Sequence, residues 1–150
     1  MKTLVIGLGN TILSDDGVGI RIAREIEKSC PGTDILEASA AGFRVIDEIL
    51  GYDRLILIDS IKTGQHQPGK LLRFNWQDFN KTMHHSSPHD ISLFEAFELM
   101  RRQGQELPDD ISIYAVEVVD TFTFSENCTP SVEAVIQTHA EKIIREQSLI

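Results

Sequence analysis

The feature that most constrains the fold is a run of four large aliphatic residues, Leu55-Ile56-Leu57-Ile58, which ends at Asp59. A strand that is apolar on both faces must be covered on both faces, which is typical of a central strand in a parallel sheet. Residues 3–7 form a similar apolar run that ends at a glycine. Both segments are therefore predicted to be buried strands of an α/β sheet.

Short apolar runs alternate with amphipathic stretches along the rest of the chain. Three more strands are predicted, at residues 34–37, 70–74 and 111–119, and helical patterns start from Asp16, Phe43, Leu93 and Val132. The order β-α-β-α-β-β-α-β-α predicts a three-layer α/β/α fold. We expect a single domain, residues 1–150, with a twisted, mostly parallel sheet of about five strands.

Composition excludes several classes of function. The formal net charge is −9, which disfavours non-specific binding to nucleic acid or to an anionic membrane. The two cysteines, Cys30 and Cys128, are far apart in sequence and form no zinc-type cluster, which fits a reducing cytosol. The first apolar run is too short for a signal peptide, and no segment has the length of a membrane span. The protein is predicted to be soluble and cytoplasmic.

The first candidate for chemistry is Asp16, which stands beside Asp15 at the start of a predicted helix. Carboxylates are common at helix starts, where they accept from free N–H groups and offset the helix dipole. Asp15 or Ser14 can supply such a cap, so a second carboxylate is surplus and becomes a candidate ligand. Capping and ligand binding both stay open for Asp16. Neither phosphate-binding motif fits, because Ile12 replaces the small residue of the dinucleotide fingerprint and no Gly-Lys-Ser/Thr follows.

The second and third candidates are Asp59 and His89. Ligands of open α/β sheets bind beyond the carboxyl ends of strands, and Asp59 ends the most apolar strand. A charge there points into the ligand crevice or needs a partner, although a turn aspartate before Ser60 is the alternative. His89 follows Pro88 at a predicted helix start, where the positive helix end favours the neutral, metal-binding imidazole. A surface histidine is the alternative for His89.

The remaining histidines are assigned no ligand role. His84 and His85 make the loop before His89 rich in histidine, and His66 lies in another polar loop. His139 falls on the apolar face of the last predicted helix, where a packed core histidine is expected.

Two aspartates and one histidine from three separate segments, Asp16, Asp59 and His89, are able to make a three-ligand metal site. A site with three protein ligands keeps a coordination position open for catalysis. Carboxylate and imidazole ligands suit zinc, nickel or similar ions better than Cu(I). No serine, cysteine or threonine nucleophile with a recognisable base is found, which disfavours an acyl-enzyme mechanism.

Four segments carry a resemblance to a known family: Gly7-x-Gly9-Asn10-x₄-Asp15-Asp16-Gly17-x-Gly19, Leu55-Ile56-Leu57-Ile58-Asp59, Ser87-Pro88-His89-Asp90-Ile91-Ser92-Leu93, and Thr129-Pro130-Ser131-Val132-Glu133. Together they resemble the hydrogenase maturation endopeptidases, the nickel–iron hydrogenase maturation proteases. The similarity runs over nearly the whole chain. The opening motif is quite specific, whereas an apolar strand that ends in aspartate is not.

The resemblance implies both an activity and a site. It implies an endopeptidase that cleaves the C-terminal extension from a hydrogenase large-subunit precursor after nickel insertion. It also implies that Asp16, Asp59 and His89 contact the metal and that the substrate supplies the nickel. As a mechanism we expect one of the two carboxylates, Asp16 or Asp59, to act as the base, and the sequence leaves both open. Other divalent metals are expected to bind in vitro. Many relatives have an Asp-Gly-Gly-Thr-like stretch where this chain has Glu37-Ala38-Ser39-Ala40. The additional side chains are expected to leave less room for another backbone to come close to this stretch.

Two other functions are compatible with parts of the pattern. A receiver-type signalling domain also has an acidic pair after its first strand and an aspartate that ends its third. Here Asp15 and Asp16 lie well beyond Gly9, and no Lys-Pro pair follows residues 111–119. A non-catalytic nickel or hydrogenase chaperone would use the same three residues without cleaving its partner.

Overall fold

The computed structural model describes residues 1–39, 43–78 and 88–150, without the side chains of residues 43, 44, 88–92 and 94. The strands are β1 (Thr3–Leu8), β2 (Asp34–Ala38), β3 (Arg54–Ile61), β4 (Leu71–Phe74) and β5 (Asp110–Glu117). The helices are α1 (Val18–Ser29), α2 (Phe43–Ile49), α3 (Pro88–Arg102), α4 (Pro130–Glu133) and α5 (Ile136–Glu146), and a 3₁₀ turn (Ser14–Gly17) precedes α1.

The five strands form one sheet in the order β2-β1-β3-β5-β4. All neighbouring strands are parallel except β4, which pairs antiparallel with β5 at the edge of the sheet. The apolar strand β3 lies in the centre, as its composition predicts, because both of its faces need cover. The predicted α/β architecture with a mostly parallel sheet is confirmed.

Helices cover both faces of the sheet, and alternation along β3 divides the core between them. Leu55, Leu57 and Ile61 belong to a cluster with α2 and α3. Ile56 and Ile58 belong to a second cluster with α1, α4 and α5. Since side chains alternate along a strand, Asp59 lies on the face that α2 and α3 cover.

Several element boundaries differ from the prediction. Strand β3 does not end at Asp59 but continues to Ile61, because pairing with β5 extends through Ser60 and Ile61. The first helix begins at Val18 rather than Asp16, since the residues before it form the 3₁₀ turn. The last predicted helix is two helices, because Val135 N–H bonds back three residues to Val132 instead of four.

The other predicted elements lie within a few residues of their expected positions. The edge strand and the long helix before β5 are both present. Among the residues that the structure describes, no helix combines the length and apolarity needed to cross a bilayer.

Candidate active site

Two glycines allow the turn that carries Asp16 to approach the sheet. Gly9 has a φ of +141°, and a Cβ atom there would lie 1.9 Å from the carbonyl oxygen of Asp16. A Cβ atom on Gly19 would lie 2.2 Å from the carbonyl oxygen of Ile58, the residue before Asp59. Only hydrogen fits at either position, so the 3₁₀ turn and the start of α1 rest on the carboxyl ends of β1 and β3.

Asp15 does not cap a helix, contrary to one expectation from the sequence. Neither the 3₁₀ turn nor α1 has a side-chain cap. The buried Asp15 carboxylate instead accepts from the N–H groups of Val119 and Asp120, both at 3.1 Å. It also accepts from Thr129, whose N–H lies at 2.7 Å and whose hydroxyl lies at 2.9 Å. Asp15 therefore joins the turn to the loop that follows β5.

Asp16 and Asp15 have different surroundings. Asp16 is partly exposed, whereas Asp15 is fully buried. The neighbouring carboxylate thus serves the fold, and Asp16 remains within reach of solvent and ligands. Ser14, the other proposed cap, is buried and has a φ of 50°.

Asp59 lies at the carboxyl end of the central strand but is enclosed by protein. Its side chain is fully buried, and its Oδ1 accepts from the N–H of Ser60 at 2.7 Å. The 3₁₀ turn that carries Asp16 contacts β3, so the structure brings these two segments together at one edge of the sheet.

His89 occupies the first turn of α3, as the sequence predicts. Helix α3 leads into the start of β5 at the amino edge of the sheet, so its first turn lies toward the carboxyl edge. Position 89 stands one helical turn before Leu93, which packs in the core cluster on the face shared by Asp59. The side chain of His89 lies outside the described residues.

The Asp16 turn thus contacts the strand of Asp59, and the chain topology directs the first turn of α3, which holds position 89, toward the same edge of the sheet. Among the described side chains, no group of three or more histidine, cysteine, aspartate or glutamate residues is close enough to hold a metal. Since His89 is outside that set, its membership of a site with Asp16 and Asp59 stays a prediction.

Glu117, which the sequence reasoning did not single out, organises the loop after β3. Its carboxylate is buried and accepts from the N–H groups of Thr63 and Gly64, at 2.9 and 3.3 Å, and from the Thr63 hydroxyl. The sequence signal that could have identified Glu117 is the one that identified Asp59, a carboxylate at the end of an apolar strand. Its contacts are with the neighbouring loop, so it supports the edge of the site.

Glu37 and His139 also have defined partners. Both carboxylate oxygens of Glu37 accept from Arg24 of α1 at 2.8 Å, and this pairing lowers the pKa of Glu37. The longer side chain of glutamate, compared with aspartate, therefore serves to pair with Arg24 within the fold. Residues 40–42 of the same stretch lie outside the described residues. His139 is half-buried, and its Nε2 donates to the Gly69 carbonyl at 2.6 Å.

Similarity to known proteins identifies the family of the chain. The model of the hydrogenase maturation protease family matches residues 6–146. The chain belongs to this family. The resemblance found in the sequence is confirmed, and so is its enzyme class, a peptide hydrolase of hydrogenase maturation.

Individual relatives of this hydrogenase maturation protease cover nearly the whole chain. The hydrogenase 2 maturation protease of Escherichia coli is 27% identical over 148 residues, which cover 96% of this chain and 89% of the relative. A solution structure of an endopeptidase from Escherichia coli superposes with a TM-score of 0.84 and 27% identity, over 98% of this chain and 94% of that one. The maturating endopeptidase HybD from the same organism shares the fold, with a TM-score of 0.81 and 24% identity over the same shares.

Family membership excludes one of the alternative functions raised by the sequence. A receiver-type signalling domain is excluded, because the family match spans the acidic pair, the central strand and the last helices.

The described parts of this protease contain two cysteines, Cys30 and Cys128, which are free and buried. Burial raises the pKa of the Cys128 thiol to about 11, which disfavours its thiolate and hence its use as a nucleophile.

Proposed function

We propose that this protease removes the C-terminal extension of a nickel-containing hydrogenase large-subunit precursor after nickel insertion, in the cytoplasm. The observation that carries the proposal is the contact between the Asp16 turn and β3, the strand of Asp59, at the sheet edge toward which the first turn of α3 is directed. Sheet edges of this kind are where open α/β proteins bind ligands. Membership of the hydrogenase maturation protease family supports the choice of substrate.

In this proposal Asp16, Asp59 and His89 approach the nickel that the precursor already carries. Two carboxylates and an imidazole are suitable ligands for nickel. A metal held there would polarise the scissile carbonyl or lower the pKa of a bound water. Asp16 or Asp59 would then accept the proton of the attacking water, and cleavage releases the C-terminal peptide. Other divalent metals that accept the same ligands are expected to bind in vitro.

The buried position of Asp59 suits it to a metal that arrives with the substrate, because the attraction between a carboxylate and a divalent cation is stronger away from water. The partly exposed Asp16 would meet the precursor first, and Asp59 would complete the contact from inside.

The test is to mix the protease with its nickel-loaded precursor and to follow intact mass. Wild-type protein is expected to release one C-terminal peptide, while nickel-free precursor stays intact. His89→Ala is expected to abolish processing without loss of fold. His66→Ala, which removes a half-buried histidine from the loop between β3 and β4, is the matched control and should process normally.

Two outcomes would contradict the proposal. Complete processing by the His89→Ala variant would remove His89 from the mechanism. Stable binding of the nickel-loaded precursor without loss of mass would favour a non-catalytic nickel or hydrogenase chaperone instead.

A further inference from the structure

Two paired loops at the carboxyl edge present large apolar side chains to solvent. Phe122 and Phe124 are 70% and 84% exposed, and Ile12 and Val119 are 49% and 47% exposed. We call these four residues the apolar rim. Single exposed hydrophobic residues are common in proteins, but several on adjoining loops mark an interaction surface.

The backbone of the apolar rim is held in place by hydrogen bonds. The Asp15 carboxylate accepts from Val119, and the Asp120 carboxylate accepts from the N–H groups of Phe122 and Thr123, at 3.0 and 2.9 Å. Lys62 adds a contact, with its Nζ 5.0 Å from the centre of the Phe122 ring. The rings are therefore exposed on an ordered loop, so a partner would meet a surface that is already formed.

The two loops also pair with each other across the end of the central strand. Ser125 donates its N–H to the Ile12 carbonyl at 3.0 Å, and its own carbonyl accepts from Ser14 at 2.9 Å. One loop follows β1 and the other follows β5, and β3 lies between these strands. The apolar rim therefore borders the edge where Asp16 and Asp59 lie.

We propose that the apolar rim is the docking surface for the hydrogenase large-subunit precursor and binds an apolar patch on its folded body, beside the C-terminal extension. The choice of the precursor as the occupant rests on the proposed function, because a protease with one protein substrate must hold that protein with the scissile bond next to its active site. Exposed aromatic residues are the side chains that dominate such interfaces. The continuity of the rim with the Asp16 turn through Asp15 connects docking to cleavage.

Charge disfavours two other occupants. A second copy of the chain would bring together two molecules that each have a formal net charge of −9. An anionic membrane would be repelled for the same reason. An uncharged apolar patch on a protein partner avoids this like-charge repulsion, and at the rim it would meet one charge of each sign beside Phe122, the Lys62 ammonium and the Asp120 carboxylate.

The test compares wild-type protein with a Phe122→Ser, Phe124→Ser double variant. The matched control is Ile150→Ser, which removes an 89% exposed aliphatic side chain from the other end of the fold. There Gln147, three residues earlier, contacts Arg54 at the start of β3. Nickel-loaded precursor is immobilised through its N-terminus, so that loss of the extension does not release its body. Biolayer interferometry gives the dissociation constant, intact mass gives cleavage, and urea midpoints verify folding.

The double variant is expected to bind the precursor at least about tenfold more weakly than wild type, and Ile150→Ser is expected to bind like wild type. Binding by the double variant within twofold of wild type would overturn docking at the rim, as would no binding by wild type. If wild type binds without cleaving and the double variant binds weakly, docking stands and the proposed cleavage fails. If wild-type protein sediments as a dimer and the double variant sediments as a monomer, a second copy of the chain occupies the rim, and the proposal that the precursor binds there is overturned.

Discussion

At the scale of single residues, two adjacent carboxylates have separate tasks. Asp15 is fully buried and accepts from the backbone of Val119, Asp120 and Thr129, while Asp16 is partly exposed at the candidate site. A buried carboxylate with this many donors cannot be replaced without leaving backbone N–H groups unsatisfied. The pair therefore separates a structural requirement from a proposed chemical one within a single turn.

This separation predicts that the same substitution affects stability at one position and activity at the neighbouring one. Asp15→Asn exchanges one acceptor oxygen for a donor and should lower the free energy of unfolding by about 1–3 kcal/mol. Asp16→Asn should change that free energy by less than about 1 kcal/mol and should abolish processing of the nickel-loaded precursor. Urea unfolding and the intact-mass assay measure the two effects. An unchanged stability of Asp15→Asn would contradict the role assigned to its hydrogen bonds.

At the scale of elements, close contact between α1 and the central strand sets the site. The start of the helix reaches the carbonyl groups of Leu8 and Ile58 because position 19 has no side chain. Any displacement of α1 there would also move the preceding 3₁₀ turn, which contacts β3 and carries Asp16. The geometry of the edge thus depends on one helix–sheet contact.

Gly19→Ala is expected to lower the free energy of unfolding by about 1–3 kcal/mol, because its Cβ atom would overlap backbone that cannot give way. Gly32→Ala is the matched control, since nothing lies within 4 Å of a Cβ atom there. That change should be neutral or slightly stabilising, through loss of freedom in the unfolded chain. Urea unfolding of both variants distinguishes them, and equal stabilities would show that α1 adjusts without cost.

At the scale of the whole molecule, sequence patterns predict those features that depend on residues close together in the chain. Apolar runs such as that of β3 and helical periodicity such as that of α1 were sufficient to predict the sheet and the helices that cover it. The end of β3 was misplaced at Asp59, because pairing with β5, more than fifty residues later, extends it. The task of Asp15 was missed for the same reason, since its donors lie at Val119, Asp120 and Thr129. Long-range partners leave no local signal, and the ligand role of Asp16, Asp59 and His89 stays a prediction.

Burial of weak acids predicts how the whole molecule responds to alkaline pH. Burial raises the pKa of the Cys128 thiol from an ordinary 9.0 to about 11, and it also raises the pKa values of Cys30 and Tyr114. Above the unfolded pKa the unfolded chain has lost a proton that the folded chain keeps, so stability is complete below pH 9 and falls as pH rises. Cys128 alone should contribute about 1.4 kcal/mol per pH unit between pH 9 and 11. Urea unfolding at intervals across this range should show a smaller slope for Cys128→Ala than for wild type, and identical slopes would mean that the thiol ionises equally in both states.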